Sequence, residues 1–121
     1  MHTDVPIMKH TNINAGGPKM DSLRVTDDAS KAVQKTPHRV SLDSIVDKIE
    51  HTDYVHPHRH PHMTLAIITL KNGFVVIGKS APADPENYDE NLGAKFAYED
   101  AIRQIWPLEA YLLREKMTTE L

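Results

Sequence analysis

The chain contains no cysteine, which excludes disulfides, thiolate nucleophiles and cysteine-ligated zinc sites. It has no excess of basic residues either: its formal net charge is -3, so generic binding to DNA or RNA backbones is not expected. No apolar run approaches the roughly 20 residues of a membrane span, and residues 1–4 do not begin a signal-peptide pattern. We therefore expect the protein to stay in the cytosol where it is made, with no membrane partner.

The signatures of common enzyme classes are missing as well. The sequence has no Gly-x-Ser-x-Gly elbow, no Walker loop, no His-Glu-x-x-His motif and no dinucleotide-binding glycine fingerprint. We therefore predict a binding protein without a cofactor rather than an enzyme.

The first third of the chain differs in composition from the rest. Residues 1–40 are polar and contain Pro6, Gly16, Gly17, Pro18 and Pro37. Because large apolar side chains are few there, burial offsets little of the entropy lost when the backbone orders. We interpret residues 1–40 as an arm, flexible or ordered by a partner, and residues 41–121 as a single compact domain. Within the arm, residues 27–34 could form a short helix capped by an aspartate.

A clear helical pattern begins at Ser41, a residue type favoured at helix N-caps. Apolar residues follow at positions 42, 45, 46 and 49, the spacing of a short amphipathic helix. The next segment, residues 51–62, is rich in proline and histidine, and we interpret it as a connection.

The strongest local signal is a β-hairpin. Residues 63–70 and 74–80 are apolar runs, and Lys71, Asn72 and Gly73 lie between them. Asn-Gly suits the two positive-φ positions of a type I′ turn. With Asn72 and Gly73 as the loop, the predicted cross-strand pairs are Leu70 with Val75, Ile68 with Ile77, Ala66 with Lys79, Thr69 with Val76 and Ile67 with Gly78.

Both faces of this hairpin are largely apolar. An isolated two-stranded hairpin is unstable in water, and an apolar one needs helices on one side and further cover on the other. A second copy of the chain would supply that cover, so we expect a homodimer or larger oligomer. The alternative is a monomer whose own arm covers the sheet.

A long helix is predicted to follow, because residues 87–90 have the spacing of a capping box. Pro107 removes one backbone donor and should kink this helix or start a new one. The predicted fold is α+β: a β-hairpin packed with a short N-terminal helix and a long kinked C-terminal helix. The expected inner stripe of the long helix consists of Leu92, Phe96, Ala97, Ala101, Ile102, Ile105 and Leu108.

Histidines cluster in residues 56–62. In an extended chain alternate residues project to one face, so His58, His60 and His62 could converge on one Zn²⁺ or Ni²⁺. Local His-x-His spacing without a distant fourth ligand is a weak metal signal, and the prolines equally suit a solvated connector. A pH-sensitive or anion-contacting loop is a further alternative.

The long helix also carries aromatic and cationic side chains. Tyr98 and Trp106 lie at i and i+8 on one stripe, with Lys95 and Arg103 on neighbouring positions. An aromatic surface flanked by cations suits a phosphorylated nucleoside, because the base stacks and the cations meet phosphate. Alternatively both aromatic residues are core or dimer contacts, the interpretation we favour for Trp106.

From residue 41 to about residue 117 the sequence closely resembles the small phage-protein family named for phage N-four gene product forty-nine and phage Sf-six gene sixty-six. The resemblance rests on residues 63–74, 78–81, 84–89, 92–95, 97–101 and 105–109. The chain departs from the family in its histidine-rich connector and at Ala110, where glycine is common. These departures place a metal site outside the family pattern.

The layout is also similar to that of the first type of anti-Thoeris sponge proteins. That resemblance implies a phage protein in the host cytoplasm that sequesters a cyclic ADP-ribose-like or cyclic oligonucleotide signal without cleaving it. The ligand would lie between protomers, with an aromatic stack and with cations on its phosphates. The residues expected to bind it are Tyr98, Arg103, Lys95, Trp106, Lys79 and Asn91. The alternative function is an accessory protein that binds a host or phage protein and no small ligand.

Overall fold

The computed structural model describes residues 8–9 and 21–119, and it has the predicted α+β class. The elements are β1 (Met8–Lys9), α1 (Asp21–Ala32), α2 (Leu42–Val46), β2 (Ile49–Val55), β3 (Thr64–Leu70), β4 (Val75–Ser80), a 3-10 turn (Pro85–Asn87) and α3 (Glu90–Thr119). The strands form one antiparallel sheet in the order β1-β2-β3-β4. The long helix α3 packs on one face of β3 and β4, so this face is the inner face of the sheet.

The core lies between the inner face of the sheet, α2 and α3. Residues of β3 alternate between buried and half-buried, as a strand covered on one face should. Most buried side chains of the core are aliphatic or small, and two are tyrosines. They are Leu23, Leu42, Ile45, Ala66, Ile68, Leu70, Val76, Ala94, Ala97, Ala101, Ile102 and Ile105, with Tyr54 and Tyr98. The Ser41 cap is confirmed, since its side chain accepts a hydrogen bond from the Ser44 amide.

The hairpin is confirmed, but its predicted register was wrong by one residue. The observed pairs are Thr69 with Val75, Ile68 with Val76, Ile67 with Ile77, Ala66 with Gly78 and Leu65 with Lys79. The loop has three residues rather than two: the Leu70 carbonyl accepts from the Gly73 amide, and the Leu70 amide donates to the Phe74 carbonyl. Gly73 adopts the left-handed region, with φ of 91°. This geometry is that of a turn followed by a glycine bulge.

Part of the predicted connection is a strand. Residues 51–55 belong to β2, which pairs with β3 on one side and β1 on the other. The strand escaped prediction because its one fully buried side chain is Tyr54, and its other residues are polar or half-buried. It also contains a bulge near Ile49, which interrupts the alternation expected of a strand. Ile49 therefore begins β2 instead of ending α2.

The long helix begins later than the predicted capping box. Its N-cap is Asp89, whose carboxylate accepts from the Leu92 amide, rather than Asn87. Pro107 lies inside α3 and starts no new helix. The proline withholds a donor only from the carbonyl of Arg103, an exposed residue whose surroundings are open to water.

The predicted inner stripe of α3 was wrong at three positions. Leu92, Phe96 and Leu108 are exposed by 49%, 50% and 41%, whereas Tyr98 is buried. The reason is the phase of the helix: the small residues Ala97 and Ala101 face the sheet, where close approach is required, and this turns Phe96 towards solvent.

Helix α1 begins six residues earlier than the short helix predicted at residue 27. Leu23 enters the core, and Asp27 is 6% exposed. The Asp27 carboxylate accepts from Arg39 Nη1 at 2.7 Å and from the Leu42 amide at 3.2 Å. These contacts join α1 to the start of α2. The division of the chain into an arm and a domain stays a prediction.

Two tyrosines in the core predict how stability depends on pH. Burial raises the pKa of Tyr54 and of Tyr98 above the ordinary value, and the nearby Tyr98 adds to the shift of Tyr54. Above pH about 10, tyrosines of the unfolded chain lose their protons while these two keep theirs in the folded protein. The free energy of unfolding should therefore fall as pH rises above about 10.

Urea unfolding between pH 8 and pH 11 measures this effect. Tyr54→Phe should reduce the alkaline loss of stability, whereas Tyr111→Phe, at a residue 67% exposed, should leave it unchanged. If the free energy of unfolding fell equally with pH in the wild type and in Tyr54→Phe, the buried Tyr54 would not be a source of the alkaline loss of stability.

Candidate functional site

The aromatic stripe predicted to bind a ligand points into the core. Tyr98 is 3% exposed and Ile102 is fully buried. Trp106 is half-buried, and its Nε1 donates to the Val40 carbonyl at 3.1 Å, so it fastens the segment before α2 to α3. Trp106 therefore packs against the core, in keeping with the interpretation favoured from the sequence.

The predicted cations and amide of the site are spread over the surface. Lys95 Nζ lies 3.5 Å from the Asp21 carboxylate, between α1 and α3. Arg103, Lys79 and Asn91 are exposed on α3, β4 and the first turn of α3, respectively. The six predicted residues therefore do not form one cluster in a single copy of the chain.

The histidine tract does not take the extended form that a metal site would need. The His60 amide donates to the Pro57 carbonyl and the Met63 amide donates to the His60 carbonyl, so residues 57–63 make two successive turns. Side chains at alternate positions are then no longer on one face. Among residues 8–9 and 21–119, no group of three or more histidine or acidic residues could hold a metal ion.

A cleft that sequence reasoning missed lies where β4 ends and α3 begins. We call it the Tyr88 cleft; its volume is about 170 Å³. It is lined by Ser80, Ala81, Pro82, Asn87, Tyr88, Asp89, Leu92, Gly93 and Phe96. Two of the predicted site residues, Lys79 and Asn91, adjoin lining residues in the chain.

Local hydrogen bonds hold the walls of the Tyr88 cleft. The Asp84 carboxylate accepts from the Glu86 amide and starts the 3-10 turn that carries Asn87 into the wall. On the opposite side, Ser80 Oγ donates to the Gly93 carbonyl at 2.6 Å, tying the end of β4 to the first turns of α3. Both walls are therefore set by short-range contacts.

Gly93 is the point of closest approach behind the cleft. A Cβ at Gly93 would lie 2.8 Å from Thr64 Oγ1 and 3.5 Å from the Tyr88 ring. The buried Thr64 hydroxyl has no hydrogen-bond partner within the described part of the chain. A Cβ at position 93 would therefore displace the Thr64 side chain where α3 passes the start of β3.

Histidine rings support the aromatic wall from behind. The rings of His62 and His56 meet Tyr88 edge-on, with centroids 5.1 Å and 6.3 Å away. His56 Nδ1 lies 3.1 Å from the Met63 carbonyl, which fixes the direction of its ring. Two histidines of the tract therefore have a structural role in positioning Tyr88.

Phe96 is the exposed aromatic residue at the rim of the cleft. Arg103 follows seven residues later, almost two turns of about 3.6 residues each, so both side chains leave α3 on nearly the same side. The exposed aromatic residue beside the cleft is thus Phe96, whereas Tyr98, the residue predicted to stack on a ligand, is buried. The small residues Ala97 and Ala101, which face the sheet, were the sequence signal that could have shown that Phe96 is exposed.

The first turn of α3 is already occupied by negative charge. The Asp89 carboxylate caps the helix, and Glu90 lies in the first turn. The Asp89 carboxylate accepts a hydrogen bond from a free amide of the first turn, and both carboxylates offset the positive end of the helix dipole. An anionic ligand would therefore gain little binding energy at this helix end. Arg103 is an exposed cation on the same side of α3 as Phe96, whereas Lys79 shares the outer face of β4 with Val75 and Ile77.

A second concave surface lies at the other end of the sheet. This groove, which we call the Phe74 groove, has a volume of about 250 Å³ between the hairpin loop and the C-terminal part of α3. Phe74, Tyr111 and Leu112 are each more than half exposed in it. Its lining residues are Leu70, Asn72, Phe74, Leu108, Glu109, Tyr111 and Leu112. It is an apolar surface with few polar groups to orient a small ligand.

None of the helices in residues 21–119 is long and apolar enough to cross a membrane.

Comparison with known proteins identifies the family. No curated protein and no solved structure shows significant similarity to the chain. The sequence profile of the phage protein (N4 Gp49/phage Sf6 gene 66) family matches residues 36–117, which span α2, the sheet strands β2 to β4 and most of α3. The chain therefore belongs to the phage protein (N4 Gp49/phage Sf6 gene 66) family.

Proposed function

We propose that this phage protein binds a compact nucleotide signal of host immunity and holds it without cleaving it, in the host cytoplasm. The candidate ligands are cyclic ADP-ribose-like molecules and cyclic oligonucleotides. The observation that carries the proposal is the exposed ring of Phe96 at the rim of the Tyr88 cleft, on the same side of α3 as Arg103.

The chemistry of the cleft suits a nucleotide in three respects. Phe96 and Tyr88 offer ring faces or edges to a base, and base–aromatic stacking contributes about 1–3 kcal/mol per base. Asn87 offers both a donor and an acceptor to the edge of a base. Arg103 supplies positive charge for phosphate outside the cleft, while Asp89 keeps phosphate away from the helix N-terminus.

A second copy of the chain completes this proposal. The outer face of the sheet, opposite α3, presents Val75 and Ile77, exposed by 49% and 51%, next to the half-buried Leu65 and Ile67 of β3. A homodimer or larger oligomer would cover these side chains.

The test is a thermal-shift panel of purified protein with cyclic ADP-ribose isomers and with cyclic di- and trinucleotides. We expect one class of nucleotide to raise the melting temperature of the wild type by several degrees. Phe96→Ala should weaken binding roughly 5- to 150-fold, the equivalent of losing one stack. Phe74→Ala is the matched control, because Phe74 is equally exposed, at 53%, but lies in the other groove.

An accessory role in binding a host or phage protein is the second candidate, and the Phe74 groove favours it. Exposed aromatic side chains such as Phe74 and Tyr111 are typical of the centre of protein interfaces. In that case no nucleotide would shift the melting temperature. Phe74→Ala, and not Phe96→Ala, would weaken capture of the partner.

A further inference from the structure

The strand β4 is one of the two edge strands of the four-stranded sheet. The Leu70 amide donates to the Phe74 carbonyl, so alternation along the antiparallel ladder points the backbone groups of Val75, Ile77 and Lys79 away from β3. An edge with such unpaired groups is a template for pairing with another strand.

Side chains of α3 meet these backbone groups. Asp100 Oδ2 accepts from the Lys79 amide at 2.9 Å, and Gln104 Nε2 donates to the Ile77 carbonyl at 2.8 Å. Gln104 Nε2 also lies 3.4 Å from Asp100 Oδ2, which links the two side chains. A carboxylate and an amide thus offer the acceptor and the donor that a neighbouring strand would otherwise supply.

The reach of these side chains depends on how closely α3 approaches β4. At Gly78 the helix is so near that a Cβ would overlap the Ala97 carbonyl and the Ala101 amide. With the helix this close, the side chains of Asp100 and Gln104 reach the backbone groups at the edge of β4. The contact is therefore a consequence of the small residues beneath α3.

We propose that Asp100 and Gln104 act in place of a neighbouring strand and keep the edge of β4 from pairing with β4 of a second copy. The outward-facing Val75 and Ile77 make such pairing favourable once the edge is free. They are half exposed, and in an antiparallel pair of β4 strands they would become cross-strand neighbours of the same apolar residues. This inference does not depend on nucleotide binding.

The test combines amide hydrogen exchange with sedimentation velocity over a range of protein concentrations. In Asp100→Ala the Lys79 amide should exchange at least about tenfold faster than in the wild type. The double variant Asp100→Ala/Gln104→Ala should form larger species than the wild type as concentration rises. Asp100→Asn, which keeps an acceptor oxygen, should behave like the wild type in both measurements.

Glu115→Ala is the control for loss of an acidic residue on α3, since Glu115 is exposed and far along the helix from β4. Unchanged exchange of the Lys79 amide in Asp100→Ala would overturn the proposal. It would also be overturned if exchange quickened but the double variant sedimented like the wild type at every concentration. If the double variant does not fold, Asp100→Ala alone, tested in both measurements, decides the question by the same criteria.

Discussion

Replacing Gly78 with alanine is expected to destabilise the protein by about 3 kcal/mol or more, enough to unfold a domain of this size in large part. The added Cβ would lie 2.0 Å from the Ala97 carbonyl oxygen, 2.5 Å from the Ala101 nitrogen and 2.9 Å from the Ala101 Cβ. Two of these three atoms belong to the helix backbone, so no side-chain rotation can relieve the overlap. The helix α3 would have to move away from β4, which would loosen the packing between α3 and the sheet.

Gly73→Ala is the control, because it separates packing from backbone strain. A Cβ at Gly73 meets nothing within 4 Å, but Gly73 has a positive φ. Its replacement should cost only about 1–2 kcal/mol, the strain of a left-handed alanine. Urea unfolding followed by circular dichroism measures both variants. A Gly78→Ala protein as stable as Gly73→Ala would show that α3 and β4 are not in such close contact.

Asp27→Ala is expected to have the second largest effect, a loss of roughly 3 kcal/mol in the free energy of unfolding. Asp27 and Arg39 form a buried ion pair, with side chains 7% and 16% exposed. Removing the carboxylate leaves the Arg39 guanidinium and the buried Leu42 amide without their acceptor. Because the Leu42 amide starts α2, the loss should loosen α2 as well as α1.

Asp43→Ala is the matched control for Asp27→Ala. It breaks the Arg24–Asp43 ion pair, whose side chains are 45% and 77% exposed, and should cost less than about 1 kcal/mol. Both ion pairs join α1 to the region of α2, so the comparison isolates burial. Equal stability of the two variants in urea would mean that α1 is not anchored through Asp27.

Local signals in the sequence predicted the types of the elements better than they predicted which residues pair across the hairpin. The Asn72-Gly73 pair located the hairpin, but two- and three-residue loops share those residues, and the choice between them decides the register. A shift of one residue moves every side chain to the other face. The observed register places Gly78 under α3 and Lys79 in solvent, whereas the predicted one placed Lys79 on the same face as Ala66.

The candidate site was less accessible to sequence reasoning, because it depends on the rotational phase of α3. A helix that carries Phe96, Tyr98 and Trp106 has aromatic residues on several sides. Which of them faces the sheet is decided by the close contact at Gly78, a tertiary feature. The Tyr88 cleft likewise arises from residues 80–96 folding back on themselves, with His56 and His62 brought in from a distant loop.

Recovery of the nucleotide from the wild-type protein tests directly whether the protein holds its ligand without cleaving it. Protein in excess is mixed with the nucleotide that raises its melting temperature, the free nucleotide is measured after filtration, and the retained fraction is measured again after heat denaturation. We expect sequestration, in which the nucleotide disappears from solution in proportion to protein and returns chemically unchanged. A nucleotide that stays free in solution, or that returns as a cleaved product, would contradict it.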